Sequence, residues 1–171
     1  TILAQMAADG LGCDMDNIIV RGVDTDQSPY DSGSYASSTT YVTGGAVVKA
    51  CESMRKRICE EAAAIMGLKS GEVDFDGETI SENDNPEHSM TLSDLITSLE
   101  AGNGRIIEVT ESHTSPVSPP PFMAGAAEIE VDLETGKITP INYVAAVDCG
   151  TVINTNLARI QTEGGIGQGI G

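Results

Sequence analysis

One long amphipathic helix in the middle of the chain constrains the fold more than any other feature of the sequence. Apolar residues recur there every three or four positions, which places their side chains on one face of an α-helix. The stripe consists of Val47, Cys51, Met54, Ile58, Ala62 and Ile65. A hydroxyl residue among positions 38–40 is placed to cap its start, and Gly67 stands where a glycine ends a helix. Because the stripe must be buried against other elements, the sequence predicts a packed core.

Weaker patterns on both sides of this helix predict shorter elements. The predicted helices are residues 1–8, a segment from Thr91 to Gly102 that opens with a Thr91–Asp94 capping box, and a glycine-rich segment from Asn154. The predicted strands are residues 17–23, a hairpin over 72–80, residues 105–110, and a hairpin of 126–131 with 138–147. Since helices and strands do not alternate strictly, we expect an α+β fold, a mixed β-sheet with packed helices, as a single domain over residues 1–171.

The charge balance excludes several classes of partner. The net charge is -17, with nine basic residues spread thinly along the chain, whereas nucleic-acid phosphates are bound through clustered Lys and Arg. The same charge disfavours an anionic membrane surface, and no apolar run approaches the roughly 20 residues that cross a bilayer. With no signal peptide in view, we expect a cytoplasmic protein.

The first residues already follow a helical pattern and the last lie in a glycine run, so we expect an excised part of a larger protein.

Metal and nucleophile patterns are weak. The four cysteines, Cys13, Cys51, Cys59 and Cys149, form no CxxC pair, and neither His88 nor His113 has a cysteine at ligand spacing. We therefore expect reduced cysteines that serve as small core residues, and no metal ligands. The acidic segment 72–87 lacks the spacing of an EF-hand loop, and no GxSxG elbow supports a serine hydrolase. No residue is assigned a catalytic role.

A neutral segment leads into the long helix. No Asp, Glu, Lys or Arg occurs between residues 32 and 48, and small hydroxylated residues crowd its first half. Backbone N–H groups at a helix start bind anions, and hydroxyls add donors, so this segment fits a phosphate. The alternative is an ordinary Ser/Thr-rich helix start in which Gly44 and Gly45 permit close packing against another element. A nucleotide-hydrolysing P-loop is excluded, because GxxxxGK[ST] is missing.

The glycine-rich tail is the second candidate. Gln161 and Gln168 carry neutral amides that both donate and accept hydrogen bonds. The glycines around them do not form a GxGxxG dinucleotide fingerprint. A close-packed or frayed glycine-rich helix explains the tail equally well.

Four segments in this order resemble one family, the molybdopterin-binding large subunit of the molybdenum hydroxylases, which include xanthine dehydrogenase and aldehyde oxidase. They are "TILAQMAADGLGCDMDNIIV", "DTDQSPYDSGSYASSTTYVTGGAVVKAC", "AGAAEIEVDLETGKITPINYVAAVDCGTVIN" and "QTEGGIGQGIG". The resemblance runs nearly end to end and is weakest over residues 68–121. The chain departs from the family pattern at Ser38, Thr155 and Ile160, where Arg, Pro and Gly are usual.

The resemblance implies a set of cofactor contacts. Ser34, Tyr35, Ala36, Ser37 and Thr39 match the family's loop that hydrogen-bonds the pterin and its phosphate, with the Ala36 backbone beside the metal. Gln161 matches a glutamine that contacts the pterin. The family's catalytic glutamate lies beyond Gly171, and Glu163, although inside a matched motif, is expected to brace the helix. The chain is thus expected to hold part of a cofactor cradle, inactive when isolated.

The resemblance also implies a reaction and partners. The parent would be an oxidoreductase that hydroxylates an aldehyde or N-heterocycle with water. Its cofactor would be molybdopterin or the dinucleotide form, which this fragment alone does not necessarily retain. The partners would be the remaining part of the molybdopterin-binding subunit and iron–sulfur and flavin subunits or domains, with no nucleic acid and no membrane. Two alternatives stay open: a non-catalytic acidic α+β protein-interaction module, and a degenerate relative without cofactor.

Overall fold

The computed structural model describes residues 1–22 and 24–171 of the chain. Within them the order is α1 (Ile2–Leu11), α2 (Thr39–Met66), β1 (Val73–Phe75), β2 (Thr79–Glu82), β3 (Asn85–Thr91), α3 (Leu92–Asn103), β4 (Phe122–Val131), β5 (Ile138–Asp148) and α4 (Thr155–Ile170). The predicted α+β class with packed helices is confirmed. The described strands pair as two antiparallel sheets, β1-β2-β3 and β4-β5. The chain divides into two compact units, Thr1–Ser115 and Pro116–Gly171.

Helix α2 organises the first unit as its apolar stripe predicts. Its N-cap residue is Ser38, and Gly67 ends it in the left-handed conformation, with φ 73°. Cys51, Ile58 and Ala62 of the stripe are buried, whereas Ile65 is 46% exposed. The stripe therefore packs along most of the helix and turns toward solvent near its end.

The core of the first unit lies between α2, the three-stranded sheet and α3. Phe75, Ile80 and Leu95 are its largest fully buried side chains. The predicted 72–80 hairpin is present as β1 and β2. At its turn, Asp76 accepts hydrogen bonds from the N–H groups of Glu78 and Thr79, at 2.9 and 2.7 Å. These two backbone bonds, Thr79 first, hold the pKa of Asp76 below its usual value.

The boundaries of α3 are set by its caps. The Thr91 hydroxyl oxygen accepts from the Asp94 N–H at 3.1 Å, and an Asp94 carboxylate oxygen accepts from the Thr91 N–H at 3.3 Å. This reciprocal pair is the predicted capping box. Strand β3, directly before it, is mostly polar and exposed, so no hydrophobic alternation marks it in the sequence.

Two predicted strands are wrong. Residues 18–22 have no strand pairing, and Ile19 is 81% exposed; Val23, the last residue of that prediction, lies outside the described residues. Residues 105–110 also pair with nothing in the described chain, although Ile107 packs on the core of the first unit. Both segments have strand-like composition, but a strand also needs a partner for its backbone hydrogen bonds.

The second unit consists of the long antiparallel hairpin β4-β5 and helix α4. The hairpin pairs from Phe122 with Asp148 to Val131 with Ile138, and the pairing shifts after Glu128. All of β4 is exposed, and β5 is exposed at every position but one. The predicted hairpin of 126–131 with 138–147 is therefore present, and within the described residues β5 pairs with β4 alone.

Candidate functional site

The backbone before α2 adopts an unusual conformation at two successive residues. Ala36 and Ser37 have φ angles of 51° and 57°, in the left-handed region that L-residues other than Asn and Asp rarely occupy. They lie in the short helical turn Tyr35–Ser37, and both side chains are exposed. Backbone strain of this kind collects at functional sites, where it fixes the direction of backbone groups.

The start of α2 offers its first N–H groups to a ligand. The Ser38 side chain does not cap them, because its hydroxyl donates to the Tyr35 carbonyl oxygen at 2.8 Å. The Thr39 hydroxyl donates to the Ser34 hydroxyl oxygen, which joins the two ends of the turn. The first turn of α2 contains no acidic residue. This arrangement combines free N–H donors, a partial positive charge and neighbouring hydroxyls, which together suit an anion.

One carboxylate that is not among the predicted site residues braces this loop. Asp31 accepts from the Gly33 N–H at 2.6 Å and from the Thr43 hydroxyl at 3.3 Å, in the second turn of α2. An Asp two residues before a Gly is a turn signal that sequence reasoning can use. Asp31 thus fixes the approach to the helix, and the neutral segment begins directly after it.

Gly44 and Gly45 are explained by close packing, as the alternative interpretation predicts. A methyl group on Gly44 would lie 2.7 Å from Met6 Cε, and one on Gly45 would lie 2.5 Å from His113 Cδ2. Both distances are far below an ordinary contact. The two glycines therefore let α1 and the segment containing His113 approach the second turn of α2.

Residues 111–113 run along α2 and are held to it by hydrogen bonds. The Ser53 hydroxyl donates to Glu111 Oε1 at 2.6 Å, and Lys49 Nζ donates to the Ser112 carbonyl oxygen at 3.2 Å. Among the described residues, His113 Nδ1 is buried without a hydrogen-bond partner. The other histidine does have a partner, since His88 Nδ1 lies 2.8 Å from Glu82 Oε2. One histidine of the first unit is thus paired with a carboxylate, and the other packs against Gly45.

Replacing Gly45 by alanine is expected to lower the free energy of unfolding by about 1–3 kcal/mol, because the added methyl overpacks the contact with His113. Gly102 in α3 is the matched control, since it is helical and nothing lies near the position of an added methyl. Gly102→Ala should be neutral or stabilising by up to about 1 kcal/mol, from helix propensity alone. Urea denaturation followed by circular dichroism measures both. Equal effects of the two substitutions would rule out the close-packing explanation.

In the second unit, Gln161 lies at a cavity of about 460 Å³. Its lining consists of Pro121, the hairpin residues Met123, Tyr143 and Val147, and the α4 residues Gln161, Thr162, Gly165, Ile166, Gly169 and Ile170. Gln161 carries the single side-chain amide among these lining residues, which are otherwise largely apolar. Gly165 and Gly169 follow it one and two helical turns later. Gln168 does not line the cavity.

Two further contacts shape this unit. The Tyr143 hydroxyl occupies the space that a side chain at position 125 would need, which accounts for Gly125. Arg159 Nε donates to Glu163 Oε1 at 2.6 Å, one turn along α4. Glu163 thus pairs within α4, and its role in bracing the glycine-rich helix stays a prediction.

The predicted cofactor-binding residues fall in both units. Ser34, Tyr35, Ala36 and Ser37 lie just before α2, Thr39 is its first residue, and Gln161 lies on α4. In residues 1–22 and 24–171, no three His, Cys, Asp or Glu side chains are arranged to hold a metal ion.

All four cysteines are free. Cys51 is buried, but Cys149 is exposed, so the expectation of a core position is wrong for Cys149. No described helix is long and apolar enough to span a membrane.

Comparison with known proteins identifies one family. The sequence model of the molybdopterin cofactor-binding domain matches residues 1–171. A probable hypoxanthine oxidase, XdhD, of Escherichia coli K12 is 31% identical over 100% of this chain and 18% of its own length. The carbon monoxide dehydrogenase large chain of Afipia carboxidovorans is 28% identical over 97% of this chain and 21% of its own length.

Solved structures agree with the sequence comparison. The reconstituted CO dehydrogenase of Oligotropha carboxidovorans superposes with a TM-score of 0.77 at 27% identity, over 96% of this chain and 21% of the other. Quinoline 2-oxidoreductase of Pseudomonas putida 86 gives 0.72 at 26% identity, over 97% and 22%. The chain spans about a fifth of the length of the proteins it matches.

Proposed function

This chain belongs to the molybdopterin cofactor-binding domain family, and from that membership we propose that Ser34, Tyr35, Ala36, Ser37 and Thr39 contact a molybdenum cofactor, as does Gln161 of the second unit. The structure of the start of α2 is the main observation that supports this proposal. Its first turn has no side-chain cap and no acid, and two left-handed residues precede it. A helix start of this kind accepts a phosphate through backbone N–H groups without any Lys or Arg.

Each of these residues would make a different contact with the molybdenum cofactor. Ser34 and Thr39 would present hydroxyls beside the phosphate, and the turn at Tyr35, Ala36 and Ser37 would present backbone groups toward the pterin. Gln161 would contact the pterin through its amide, which both donates and accepts. When bound, the molybdenum–pterin group supplies hydroxylation of a substrate carbon with water as the oxygen source.

We propose that the whole protein is a hydroxylase-type oxidoreductase of aldehydes or N-heterocycles, in the cytoplasm. It would carry molybdopterin or the dinucleotide form and work with iron–sulfur and flavin subunits or domains. The catalytic base would come from outside residues 1–171. Relatives described as a hypoxanthine oxidase and a nicotine 6-hydroxylase large subunit support this reaction class.

The remaining part of the large subunit is proposed to cover the second unit. Phe122, Leu133 and Val144 are 68%, 92% and 63% exposed on the hairpin. A two-stranded hairpin is marginal in water without a packed face. Exposed apolar surface of this extent is typical of an interface, and the relatives are several times longer than this chain.

Cofactor content of the intact protein tests the proposal. Gln161→Ala should lower bound pterin and molybdenum together by about tenfold, which corresponds to roughly 1.4 kcal/mol of binding free energy. Gln168→Ala is the matched control on the same helix and should retain the wild-type content. Molybdenum is measured by mass spectrometry of the metal, and pterin by fluorescence after oxidation. An intact, active wild-type protein that contains neither would refute the proposed function.

A further inference from the structure

Strand β5 has a free backbone edge. It pairs with β4 from Phe122 with Asp148 to Val131 with Ile138, and within residues 1–22 and 24–171 it pairs with no other strand. A strand with one neighbour leaves every second N–H and C=O group on its other side without a sheet partner. The outer side of β5 is therefore a template for one more strand.

The sequence of β5 is typical of a strand with neighbours on both sides. Residues 143–147 read Tyr-Val-Ala-Ala-Val, so five successive positions, and hence both faces of the strand, are apolar. No Asp, Glu, Lys or Arg occurs from Ile138 to Val147. Solvent-exposed edge strands are usually protected by charged side chains, and β5 lacks them over this stretch.

Features that interrupt strand pairing are confined to the beginning of β5. Pro140 has no N–H to donate, and Ile141 is the extra residue at the register shift, since Ile129 pairs with Pro140 and the residue before Ile129 pairs with Asn142. Residues 142–147 contain neither a proline nor a register shift. A further strand can therefore pair with them without interruption.

The free edge of β4 is a poorer template. Residues 124–127 of β4, which pair with residues 143–146 of β5, are Ala-Gly-Ala-Ala and offer little side-chain surface to a neighbouring strand. Tyr143 and Val144 of β5 instead supply the aromatic and β-branched contacts that stabilise strand pairs. Farther along β4, Glu128 and Glu130 add the charges that are common on edge strands.

We propose that β5 pairs along residues 142–147 with a further strand, which comes from the part of the large subunit outside residues 1–171. This chain spans 18% and 21% of the two relatives described above, so a subunit of that length has ample chain to supply the strand. The strand is expected to be neutral and rich in β-branched or aromatic residues, to match Tyr143 and Val144. The inference rests on the proposed function for its occupant, the remaining part of the large subunit.

The added strand has a consequence for the candidate site. Tyr143 and Val147 of β5 line the cavity at which Gln161 lies. A strand with neighbours on both sides is held more rigidly than an edge strand, because backbone hydrogen bonds fix both of its edges. The pairing would therefore fix this wall of the cavity.

Hydrogen–deuterium exchange of the intact protein, read at single residues by mass spectrometry with electron-transfer fragmentation, tests the pairing. With neighbours on both sides, all amides of residues 142–147 should exchange at least about 100-fold more slowly than unpaired amides. Residues 123–127 of β4 are the matched control and should show slow and fast amides in turn. The same alternation over residues 142–147 would overturn the proposal.

Dilution of the intact protein tests the occupant. A strand from the same polypeptide gives protection of residues 142–147 that does not change with protein concentration. Protection that is lost as the protein dissociates on dilution would mean that a second copy or another subunit supplies the strand, which also overturns the proposal.

Molybdenum and pterin content of the same sample separates this inference from the proposed function. Slow amides throughout residues 142–147 in an active protein without the cofactor would support the pairing and refute the proposed function. Alternating amides there in a protein that contains the cofactor would do the reverse.

Discussion

Replacing Arg55 by alanine is expected to lower the free energy of unfolding of the first unit by about 2–4 kcal/mol, because one guanidinium joins three elements. Arg55 Nη1 donates to the Leu11 carbonyl oxygen at 2.9 Å, at the end of α1. Its Nη2 donates to the Phe75 carbonyl oxygen of β1. Removing the donor leaves both carbonyls without this partner, and each charge-assisted bond contributes about 1.5–3 kcal/mol.

The Arg55 contacts extend beyond the two carbonyls. The guanidinium carbon lies 5.4 Å from the centre of the Phe75 ring, in a cation–π contact. Asp74 Oδ1 lies 3.8 Å from Arg55 Nη2. Phe75 is fully buried in the core of the first unit. Loss of Arg55 therefore loosens α1 and β1 together, whereas lysine, which lacks the planar fork, should restore only part of the stability.

Arg57 is the matched control for Arg55. It lies on the exposed side of α2 and pairs with Glu61 at 3.5 Å, while Arg105 holds the same carboxylate at 2.9 Å. Arg57→Ala should change the free energy of unfolding by less than about 0.5 kcal/mol, because Arg57 is half exposed and Glu61 keeps Arg105 as a partner. Urea titrations of both variants measure the difference. Equal destabilisation by the two substitutions would show that Arg55 does not join these elements.

The sequence predicts the helices well because each carries its own signal. The stripe and Gly67 set the extent of α2, and the Thr91–Asp94 capping box sets the start of α3. Capping and helical periodicity are local properties of a few residues. These elements therefore appear in the structure close to the predicted positions.

The strands are less predictable because pairing is not local. Ile19 and Ile106 lie in apolar segments that resemble strands, yet both are mostly exposed and unpaired in the described chain. Strand β3 shows the reverse case, a polar segment that pairs with β2 from Thr79 to Glu82. Pairing depends on which segments the fold brings side by side, and composition alone does not report this.

The candidate site, too, could be predicted from the sequence only in part. The neutral charge pattern and the helix start could be predicted, and so could the close-packing role of Gly45. The left-handed backbone at Ala36 and Ser37 could not, because neither residue type favours that conformation. Asp31 braces the loop through its contact with Thr43, and no sequence motif indicates that contact.

The backbone conformation of Ala36 gives the second large effect. Valine is β-branched and strongly disfavours the left-handed region, whereas glycine adopts it freely. Ala36 is exposed, so neither substitution disturbs the packed core. Ala36→Val should redirect the turn before α2 and reduce bound cofactor to about a tenth or less, a change of at least roughly 1.4 kcal/mol. Ala36→Gly should retain it.

Molybdenum and pterin content of the intact protein, measured in wild type and in these two variants after purification under one protocol, tests the central claim most directly. We predict molybdenum and pterin in equimolar amounts in wild type and in Ala36→Gly, and loss of both in a folded Ala36→Val protein. Circular dichroism confirms that each variant is folded. A folded Ala36→Val protein with full wild-type cofactor content would contradict the claim that this turn and the start of α2 hold the cofactor.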